Sequence, residues 1–219
     1  HSQIATLCPE LATAMSDAYY QIAGSITRGL RAALIAANEL LFDRNLRADG
    51  EHRALAGLCG VVLRDNEVYI GQLGPALVSW THEGALQRFP ADSIWLRSDN
   101  PGAFDLTREP PAGQRRESEP NLYHLTLSPG DALILSTTAL ARLTSEGDVL
   151  QAAALAGNGS TRSSLEALAN GRDLSALVME CGSEGDLRAA PVQPAPQERA
   201  EPPAALDYER VVFVFDGHN

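Results

Sequence analysis

One stretch constrains the fold of this chain more than any other: GDALILSTTAL, residues 130–140. Gly130 and Asp131 form a predicted turn, and the apolar run that follows over 132–135 is too short for a helix. Short apolar runs between turn residues are typical of strands that are buried on both faces. Here the run ends in hydroxyl side chains, the last of them Thr138, before a helical pattern begins. We therefore expect a central strand that delivers polar side chains to a functional site.

The chain before this strand changes from a helical pattern to a strand pattern. Apolar residues recur at helical spacing over residues 7–22 and 26–46, and Ser25 is placed to cap the second helix. Strands are predicted over residues 55–63, 68–73, 76–80 and 85–89. Short turns join these four strands, so we expect an antiparallel meander. The first two strands are apolar on both faces, as in a sandwich that is covered by helices.

The remainder of the chain mixes structured and unstructured patterns. Residues 90–120 hold many prolines and charges and little periodicity, which predicts a long exposed loop. Residues 183–205 are rich in proline, alanine and acids, as linkers are. Further strands are predicted over 122–127, 174–180 and 210–215, and helices over 139–156 and 161–170. We therefore divide the chain into a domain over 1–182, a linker over 183–205, and 206–219 as the closing strand of the same domain.

The charge and the apolar pattern of the chain exclude some classes of partner. Its 219 residues carry a formal net charge of −11, which opposes non-specific binding to nucleic acid or anionic lipid. No apolar run approaches the roughly 18 residues of a membrane-spanning helix, so no membrane partner is expected. Cys8, Cys59 and Cys181 lack the spacing of a zinc site, and we expect reduced, buried thiols in a cytoplasmic protein.

Four segments of the chain carry a resemblance to a known family. They are AALIAANELLF, AGLCGVVLRDNEVYIGQLGPALVSWTHEGALQRF, LTLSPGDALILSTTAL and NGRDLSALVME. In this order and spacing, over roughly residues 5–180, they resemble the 2C-type metal-dependent protein serine/threonine phosphatases, including their bacterial branch. The corresponding family motifs are "A-x-x-x-A-N-x-x-I", a hairpin with "YVANVGDSRAVL", "L-x-L-x-x-G-D-x-L-L-L-x-S-D-G-L" and "S-x-D-N-x-T-x-I-V-V". The resemblance implies an α/β fold of the α+β type: an antiparallel β-sandwich of two sheets flanked by helices.

The last residues of the chain resemble a fifth motif, but in an unexpected place. VVFVFDGHN is similar to the family's "F-x-V-x-D-G-H-G-G", which in the family precedes the first helix and here follows every other element. The family motif continues as "S-Q-V-A-x-x-C", and this chain begins HSQIATLC. Circular permutation is one explanation, and a chance match of a tetrapeptide is the other. Both alternatives stay open on the sequence.

The resemblance also implies metal-binding and catalytic roles. The family uses two Mg²⁺ or Mn²⁺ ions to hold and deprotonate a water molecule that attacks the phosphorus of a phosphoserine or phosphothreonine. By resemblance, Asp216 bridges both metals and Gly217 offers its carbonyl oxygen. The same comparison implies a general-acid role for His218 and a metal-ligand role for Asp173.

Several positions depart from the family pattern. Thr138 stands where the motif has a metal-binding acid, and a neutral hydroxyl lacks the charge that a carboxylate brings to a divalent ion. Leu174 replaces the asparagine after Asp173, and Pro75 and Ala76 replace the Asp-Ser of "GDSR". The family's first strand motif, "R-x-x-N/M-E-D", has no match. We therefore expect one bound Mg²⁺ or Mn²⁺ ion or none, where the family has two.

Two functional hypotheses follow from these departures. The first is a degenerate pseudophosphatase with a regulatory or binding role, whose partner is a phosphoprotein or a regulatory protein. The alternative is an active Mn²⁺- or Mg²⁺-dependent phosphoserine/phosphothreonine phosphatase with a reduced metal set. A sandwich that shares only its strand patterns with the family is a third alternative.

Plainer interpretations exist for each candidate residue. Taken alone, Asp173 is a loop acid or a helix cap, and His218 is a surface residue. The other histidines, His52, His82 and His124, lie on predicted turns or strand faces without paired carboxylates. We expect those three side chains to be exposed or at the edge of the core.

Overall fold

The structure is a computed structural model that describes residues 2–49, 53–96, 108–154, 164–165, 167–168, 176–182 and 210–218. Side chains are described in the same ranges except in residues 2–6 and 210–218. Within these ranges, no helix has both the length and the apolar character needed to cross a membrane.

Helices and strands occur in blocks along the chain, as the sequence predicted. The helices are α1 (Ser2–Gln21), α2 (Ile26–Arg47), α3 (Thr138–Leu143) and α4 (Glu146–Ala154), and a 3₁₀ turn spans Ile94–Leu96. The strands are β1 (Leu55–Arg64), β2 (Glu67–Leu73), β3 (Ala76–His82), β4 (Ala85–Phe89), β5 (Asn121–Thr126), β6 (Ala132–Thr137), β7 (Ala176–Glu180) and β8 (Arg210–His218).

The two long helices pack against each other, and the predicted cap of the second one is confirmed. The Ser25 hydroxyl accepts a hydrogen bond from the Arg28 amide at 3.4 Å, which satisfies one free amide of the first turn of α2. The apolar stripe of α2 faces the core, and the exposure of Leu30, Leu34 and Leu41 is zero. The first helix begins at Ser2, earlier than the predicted residue 7.

The strands form two antiparallel sheets, which confirms the predicted sandwich. The first sheet has the order β5–β2–β1–β8, and the second has the order β4–β3–β6–β7. β6 lies in the interior of the second sheet, and its residues from Ala132 to Ser136 are buried. The expectation of a central buried strand over 132–135 is therefore confirmed.

The predicted meander is wrong at one point, because β2 and β3 do not pair with each other. The chain leaves the first sheet after β2 and enters the second at β3 through Gly74 and Pro75. Gly74 has a φ of 69°, in the left-handed region that glycine adopts readily. Gly57 of β1 faces this crossover so closely that a Cβ atom there would lie 2.5 Å from the Pro75 carbonyl carbon. The two sheets therefore meet here through backbone atoms.

Apolar clusters hold the layers of the domain together. One cluster joins α1 and α2 to the first sheet, with Leu34 and Leu58 among its buried members. A second fills the space between the sheets and includes the fully buried Ile70. A third packs Val149 of α4 against Ile134 on the outer face of β6. Each such side chain contributes about 1.5–3 kcal/mol by leaving water, so these clusters together are the main source of stability.

The loop over 90–120, which was predicted to be exposed, is exposed at residues 114–117 but buried at residues 111–113, so the prediction is only partly right in the described part of the loop. Trp95 is 4% exposed, and its indole Nε1 donates to the Glu109 carbonyl oxygen at 3.2 Å. Ala112 is fully buried and pairs with Ala56 of β1 in an isolated bridge. These contacts join residues that are far apart in the sequence, and the spacing of apolar residues along the chain does not predict such contacts. Residues 97–107 lie outside the described residues.

Two buried asparagines of α2 hold the second half of this loop. The Asn38 side-chain amide donates to the carbonyl oxygens of Arg115 and Arg116 at 2.9 and 2.8 Å. Its Oδ1 accepts a hydrogen bond from the Gly113 amide at 2.9 Å. Asn45 donates to the Gly113 carbonyl oxygen at 3.0 Å. Because both asparagines are nearly inaccessible to solvent, these bonds fix the loop backbone to the helix layer.

The helical pattern predicted over 139–156 is divided between α3 and α4. The division lies at Ser145, whose hydroxyl accepts from the Asp148 amide at 3.1 Å and whose own amide donates to the Asp148 carboxylate at 2.9 Å. This reciprocal pair of bonds starts α4 as a capping box does. The linker predicted over 183–205 lies outside the described residues, as does most of the helix predicted over 161–170.

Candidate functional site

The end of β6 places Thr138 close to the junction of the two sheets. Thr137 pairs with Ala76, the first residue of β3 after the crossover. Thr138 follows as the first residue of α3, and its exposed fraction is zero. The position that holds an acid in the resembled motif therefore carries a fully buried neutral side chain.

The terminal strand brings three more candidate residues to the same end of the sandwich. β8 pairs with β1 in an antiparallel register that sets Asp216 opposite Gly57, Gly217 opposite Ala56 and His218 opposite Leu55. Gly57 packs in turn against Pro75, the residue before Ala76. Asp216 is thus linked through Gly57 to the crossover, and the crossover is linked through Ala76 to Thr137. The backbone at residue 216 and the end of β6 therefore lie at the same end of the sandwich. β8 also contacts β3 and β6 across the two sheets.

The fifth candidate, Asp173, lies outside the described residues. The strand that follows it, β7, begins at Ala176, which pairs with Ser136 of β6. Its predicted role as a metal ligand stays a prediction, as do the roles of Asp216, Gly217 and His218.

The described side chains do not by themselves form a site for Mg²⁺ or Mn²⁺. In the ranges whose side chains are described, no group of three or more histidine, cysteine or acidic side chains is placed to hold a metal ion. Thr138 offers a neutral oxygen, and Pro75 and Ala76 offer no side-chain oxygen at the crossover. Mg²⁺ and Mn²⁺ are hard cations that need carboxylate and carbonyl oxygens. A metal at this end of the sandwich would therefore depend on the carboxylates of Asp216 and Asp173.

A buried polar network, which sequence reasoning missed, braces the crossover. Gln72 is fully buried, and its Nε2 donates to the carbonyl oxygens of Gly74 and Ala76, the latter at 3.2 Å. Its Oε1 accepts a hydrogen bond from the Asn121 side-chain amide at 2.9 Å. The network ties the end of β2 to the start of β3 and the start of β5. The signal in the sequence was a glutamine within an otherwise apolar strand.

Glu109 forms a second polar centre that the sequence did not single out. Its carboxylate accepts hydrogen bonds from the Ser93 hydroxyl at 2.9 Å and from the Ile94 amide at 3.0 Å. Burial raises the pKa of this carboxyl above its ordinary value, and nearby Asp92 raises it further, against the lowering effect of the hydrogen bonds. A half-buried carboxylate held in this way is a candidate ligand-binding group.

His82 and His124 were predicted to lack paired carboxylates, and that prediction is wrong. His82 Nδ1 lies 2.8 Å from the carboxylate of Asp131, which is 3% exposed. The same carboxylate accepts hydrogen bonds from the Trp80 indole at 3.2 Å and from the Ser128 amide at 2.8 Å. His124 bonds to an acid on the neighbouring strand β2. The Asp131 cluster lies at the opposite end of β6 from Thr138, and it anchors the turn before that strand.

The cysteines are free thiols, as the sequence predicted. Cys59 is buried in the first sheet, and complete desolvation raises its pKa to about 12. A thiol of this kind stays protonated at neutral pH and is a poor nucleophile. Cys8 and Cys181 are partly exposed, so the expectation that all three are buried is not met.

Comparison with solved structures identifies the fold. Neither a protein-family model nor a curated protein sequence matches the chain. The catalytic domain of the serine/threonine protein phosphatase PstP in complex with two manganese ions superposes with a TM-score of 0.63 at 18% identity, over 81% of each chain. PppA, a key regulatory component of T6SS in Pseudomonas aeruginosa, superposes with a TM-score of 0.61 at 20% identity, over 77% of each chain. The phosphatase MsPP from Mycobacterium smegmatis gives a TM-score of 0.60 at 18% identity, over 78% of this chain and 80% of MsPP.

These similarities confirm the 2C-type fold that the sequence motifs implied. The chain has two antiparallel sheets flanked by helices, as the phosphatase structures do. At sequence identities of 18–20%, the similarity establishes the fold alone. The activity has to be argued from the residues of the site.

Proposed function

We propose that this chain is a protein phosphatase 2C-like module whose catalytic centre has degenerated, and that it acts by binding a phosphoprotein or a regulatory protein. The fully buried Thr138 carries this proposal. It stands at the end of the central strand, where the resembled motif supplies a metal-binding acid. A neutral hydroxyl in a site without solvent cannot replace the charge of a carboxylate toward a divalent ion.

The crossover between the sheets supports the same proposal. The resembled motif has Asp-Ser where this chain has Pro75 and Ala76. Pro75 and Ala76 therefore bring no side-chain oxygen to this end of the sandwich, where the motif has a carboxylate and a hydroxyl. Two departures on neighbouring elements of one site are more readily explained by loss of chemistry than by an isolated substitution.

The residues that remain would suit a single divalent ion better than two. Asp216 and Asp173 would provide carboxylates, and Gly217 would provide a carbonyl oxygen. A bound Mg²⁺ or Mn²⁺ ion would supply an activated water molecule, and His218 would hold the proton for the leaving group. An active phosphatase with this reduced metal set is the second candidate function. The complex of PstP with two manganese ions supports the metal-dependent chemistry of the fold, and the number of ions for this chain is a proposal.

The partner and the location follow the same proposal. PppA is a regulatory component of T6SS, and a regulatory role for the present chain is consistent with that similarity. A protein partner with phosphorylated serine or threonine fits a module that keeps the architecture of a phosphatase. We keep the cytoplasm as the proposed location, on the grounds of its free cysteines.

Circular permutation belongs to the proposal as an explanation of the terminal DGH motif. β8 pairs with β1 along nine residue pairs and also contacts α1, which supports its use as the strand that would precede that helix. Permutation also predicts a central position for residues 211–216. Among the described strands, β8 lies at the edge of its sheet. The strand order therefore does not support the permutation hypothesis.

Hydrolysis of p-nitrophenyl phosphate in saturating Mn²⁺ tests the proposal, with Asp216→Asn measured beside the unaltered protein. We expect no metal-dependent rate above buffer in either protein. A rate that requires Mn²⁺ and collapses in Asp216→Asn would contradict degeneration and establish the active alternative. A metal-dependent rate that is equal in both proteins would show that residue 216 is not the metal ligand.

A further inference from the structure

A cavity of about 190 Å³ lies at one edge of the sandwich, lined by Pro90, Asp92, Ile94, Arg108, Glu109 and Asn121. We propose that this cavity binds a basic side chain of the phosphoprotein partner, an arginine or a lysine, with the Glu109 carboxylate as its main acceptor. The inference rests on the proposed function, because it assumes that a phosphorylated segment binds at the DGH end of the sandwich. It adds to that function a preference for a positively charged residue in the bound segment of the partner.

The cavity opens at the same end of the sandwich as Thr138 and Asp216. On the first sheet, Asn121 is the first residue of β5 and pairs with Gln72, close to the crossover. On the second sheet, Pro90 directly follows the end of β4, whose last residue pairs with Val78 of β3. Both sheets therefore direct their lining residues toward the crossover end, and one extended segment can reach the cavity and the candidate site together.

Glu109 retains acceptor capacity toward the cavity. A carboxylate has about four acceptor positions, and the Ser93 hydroxyl, the Ile94 amide and the Gln72 side chain can fill three of them at a time, which leaves one for a donor from a ligand. The Ser93 hydroxyl lies 2.9 Å from each carboxylate oxygen, so the carboxylate is held in one orientation. The fixed, half-buried group is thereby pre-organised for a donor from a ligand, which lowers the entropic cost of binding.

The lining favours an organic cation over an anion or a metal ion. Among the described residues that line the cavity, Asp92 and Glu109 are acidic and Arg108 is basic, and the protein as a whole has a net charge of −11. Phosphate and other anions are therefore disfavoured. A divalent metal is disfavoured too, because no group of three metal-ligating side chains occurs among the residues with described side chains. Pro90 and Ile94 add an apolar wall, which suits the methylene stem of arginine or lysine.

The strand register gives the spacing between the two parts of the ligand. One row of paired residues crosses the first sheet at right angles to its strands. It runs from Asn121 on β5 through Gln72 on β2 and Cys59 on β1 to Val214 on β8. With strands about 4.8 Å apart, the row is about 14 Å long, and Asp216 lies about 7 Å further along β8. The separation is thus about 16 Å. An extended peptide advances about 3.3 Å per residue, so the basic residue lies about five positions from the phosphorylated one.

Fluorescence anisotropy with labelled phosphothreonine peptides tests the inference. Each peptide carries one arginine, placed two to seven positions from the phosphothreonine on either side. It is compared with a peptide that has glutamine at the same position and with its own unphosphorylated form. We expect arginine to raise the affinity about 5- to 10-fold at a spacing near five, and less elsewhere. In Glu109→Gln this gain should fall below about 2-fold, because the amide keeps the shape and loses the charge.

Matched variants separate the local effect from a general one. Glu10→Gln removes the same charge from an exposed acid on α1, which pairs with Arg44, and should keep the full gain. Asp92→Asn is the second lining variant, for use if thermal unfolding shows that Glu109→Gln does not fold. We expect Asp92→Asn to reduce the arginine gain by a smaller factor, since Asp92 lines the cavity beside the main acceptor.

The outcomes distinguish the inference from the function on which it rests. If phosphopeptides bind and arginine adds nothing at any spacing, or if the gain survives in Glu109→Gln, the inference is overturned and the proposed function stands. If phosphorylated and unphosphorylated peptides bind equally, the proposed phosphoprotein binding is overturned, and the dependence on arginine and Glu109 still decides the cavity. If no peptide binds, the inference and the proposed phosphoprotein binding are both overturned.

Discussion

Restoring the missing acid, by Thr138→Asp, is the most direct perturbation of the candidate site. The two side chains are nearly equal in size, but residue 138 has zero exposure, so the substitution buries a carboxyl group. Burial of a polar or ionisable group without a compensating partner costs about 2–4 kcal/mol. For a chain of this length, 1 kcal/mol corresponds to about 2–4 °C in Tm. We therefore expect Thr138→Asp to lower Tm by about 5–15 °C in metal-free buffer.

Mn²⁺ should reverse much of this loss. If Asp216 and Asp173 project into the same space, the new carboxylate completes a set of three acids, and a metal ion binds the folded state alone. At one hundred times its Kd, such an ion stabilises the folded state by about 2.7 kcal/mol. Thermal unfolding with and without Mn²⁺ measures the effect, and we expect Tm to rise by about 5–10 °C in the variant and by less than about 2 °C in the unaltered protein.

Thr138→Asn is the matched control, since asparagine has the size of aspartate without its charge. We expect it to lose stability and to gain little from Mn²⁺. A variant with aspartate that shows no Mn²⁺-dependent recovery would refute the placement of residue 138 at a metal position. An equal Mn²⁺ shift in the unaltered protein would refute the argument that the neutral hydroxyl prevents metal binding.

Three further predictions address the core, the pH dependence and the terminal strand. Leu133 has zero exposure between the sheets, and Leu133→Ala should lower the free energy of unfolding by about 2–5 kcal/mol in urea titrations. Leu46 is 65% exposed, and Leu46→Ala should change the free energy of unfolding by less than about 0.5 kcal/mol. Equal effects of the two substitutions would contradict the assigned core. The raised pKa of Glu109 means that its contribution to stability is fully present below the ordinary carboxyl pKa and is lost as pH rises through the folded-state value. Glu109→Gln should therefore gain stability relative to the unaltered protein over that interval in unfolding measured from pH 4 upward, and a pH-independent difference would contradict the assignment. Moving residues 206–219 to a position directly before residue 1 should preserve the fold by circular dichroism and Tm if the permutation hypothesis is right, and loss of cooperative unfolding would count against it.

Local patterns predicted the elements of this fold well, because each depends on neighbouring residues. The run over 132–135 between turn residues required a buried strand, and the structure places β6 inside the second sheet. Ser25 before an amphipathic stretch required a capped helix, and its hydroxyl accepts the expected bond. The division of the meander at Gly74 was missed because a two-residue turn can join strands within one sheet or between two. The choice depends on how the sheets pack, which no local pattern records.

Long-range pairing decided the polar contacts of the site. His82 and Asp131 are 49 residues apart in the sequence, as are Gln72 and Asn121. Histidines without adjacent acids were expected to be unpaired, and the fold paired them across strands instead. The partial burial of Glu109 likewise depends on a loop that folds back on itself.

The sequence by itself predicted most of the helices and strands, because apolar periodicity and turn residues are local properties. The two-sheet sandwich with helices outside came from the resemblance to the 2C-type phosphatases, and so did the significance of Thr138, which stands where the family motif has an acid. The tertiary structure alone decided that Thr138 is completely buried, that the terminal strand joins β1, and that Glu109 lines a cavity at the same end. Burial and proximity are properties of packing between distant segments, and packing is settled only when the whole chain has folded.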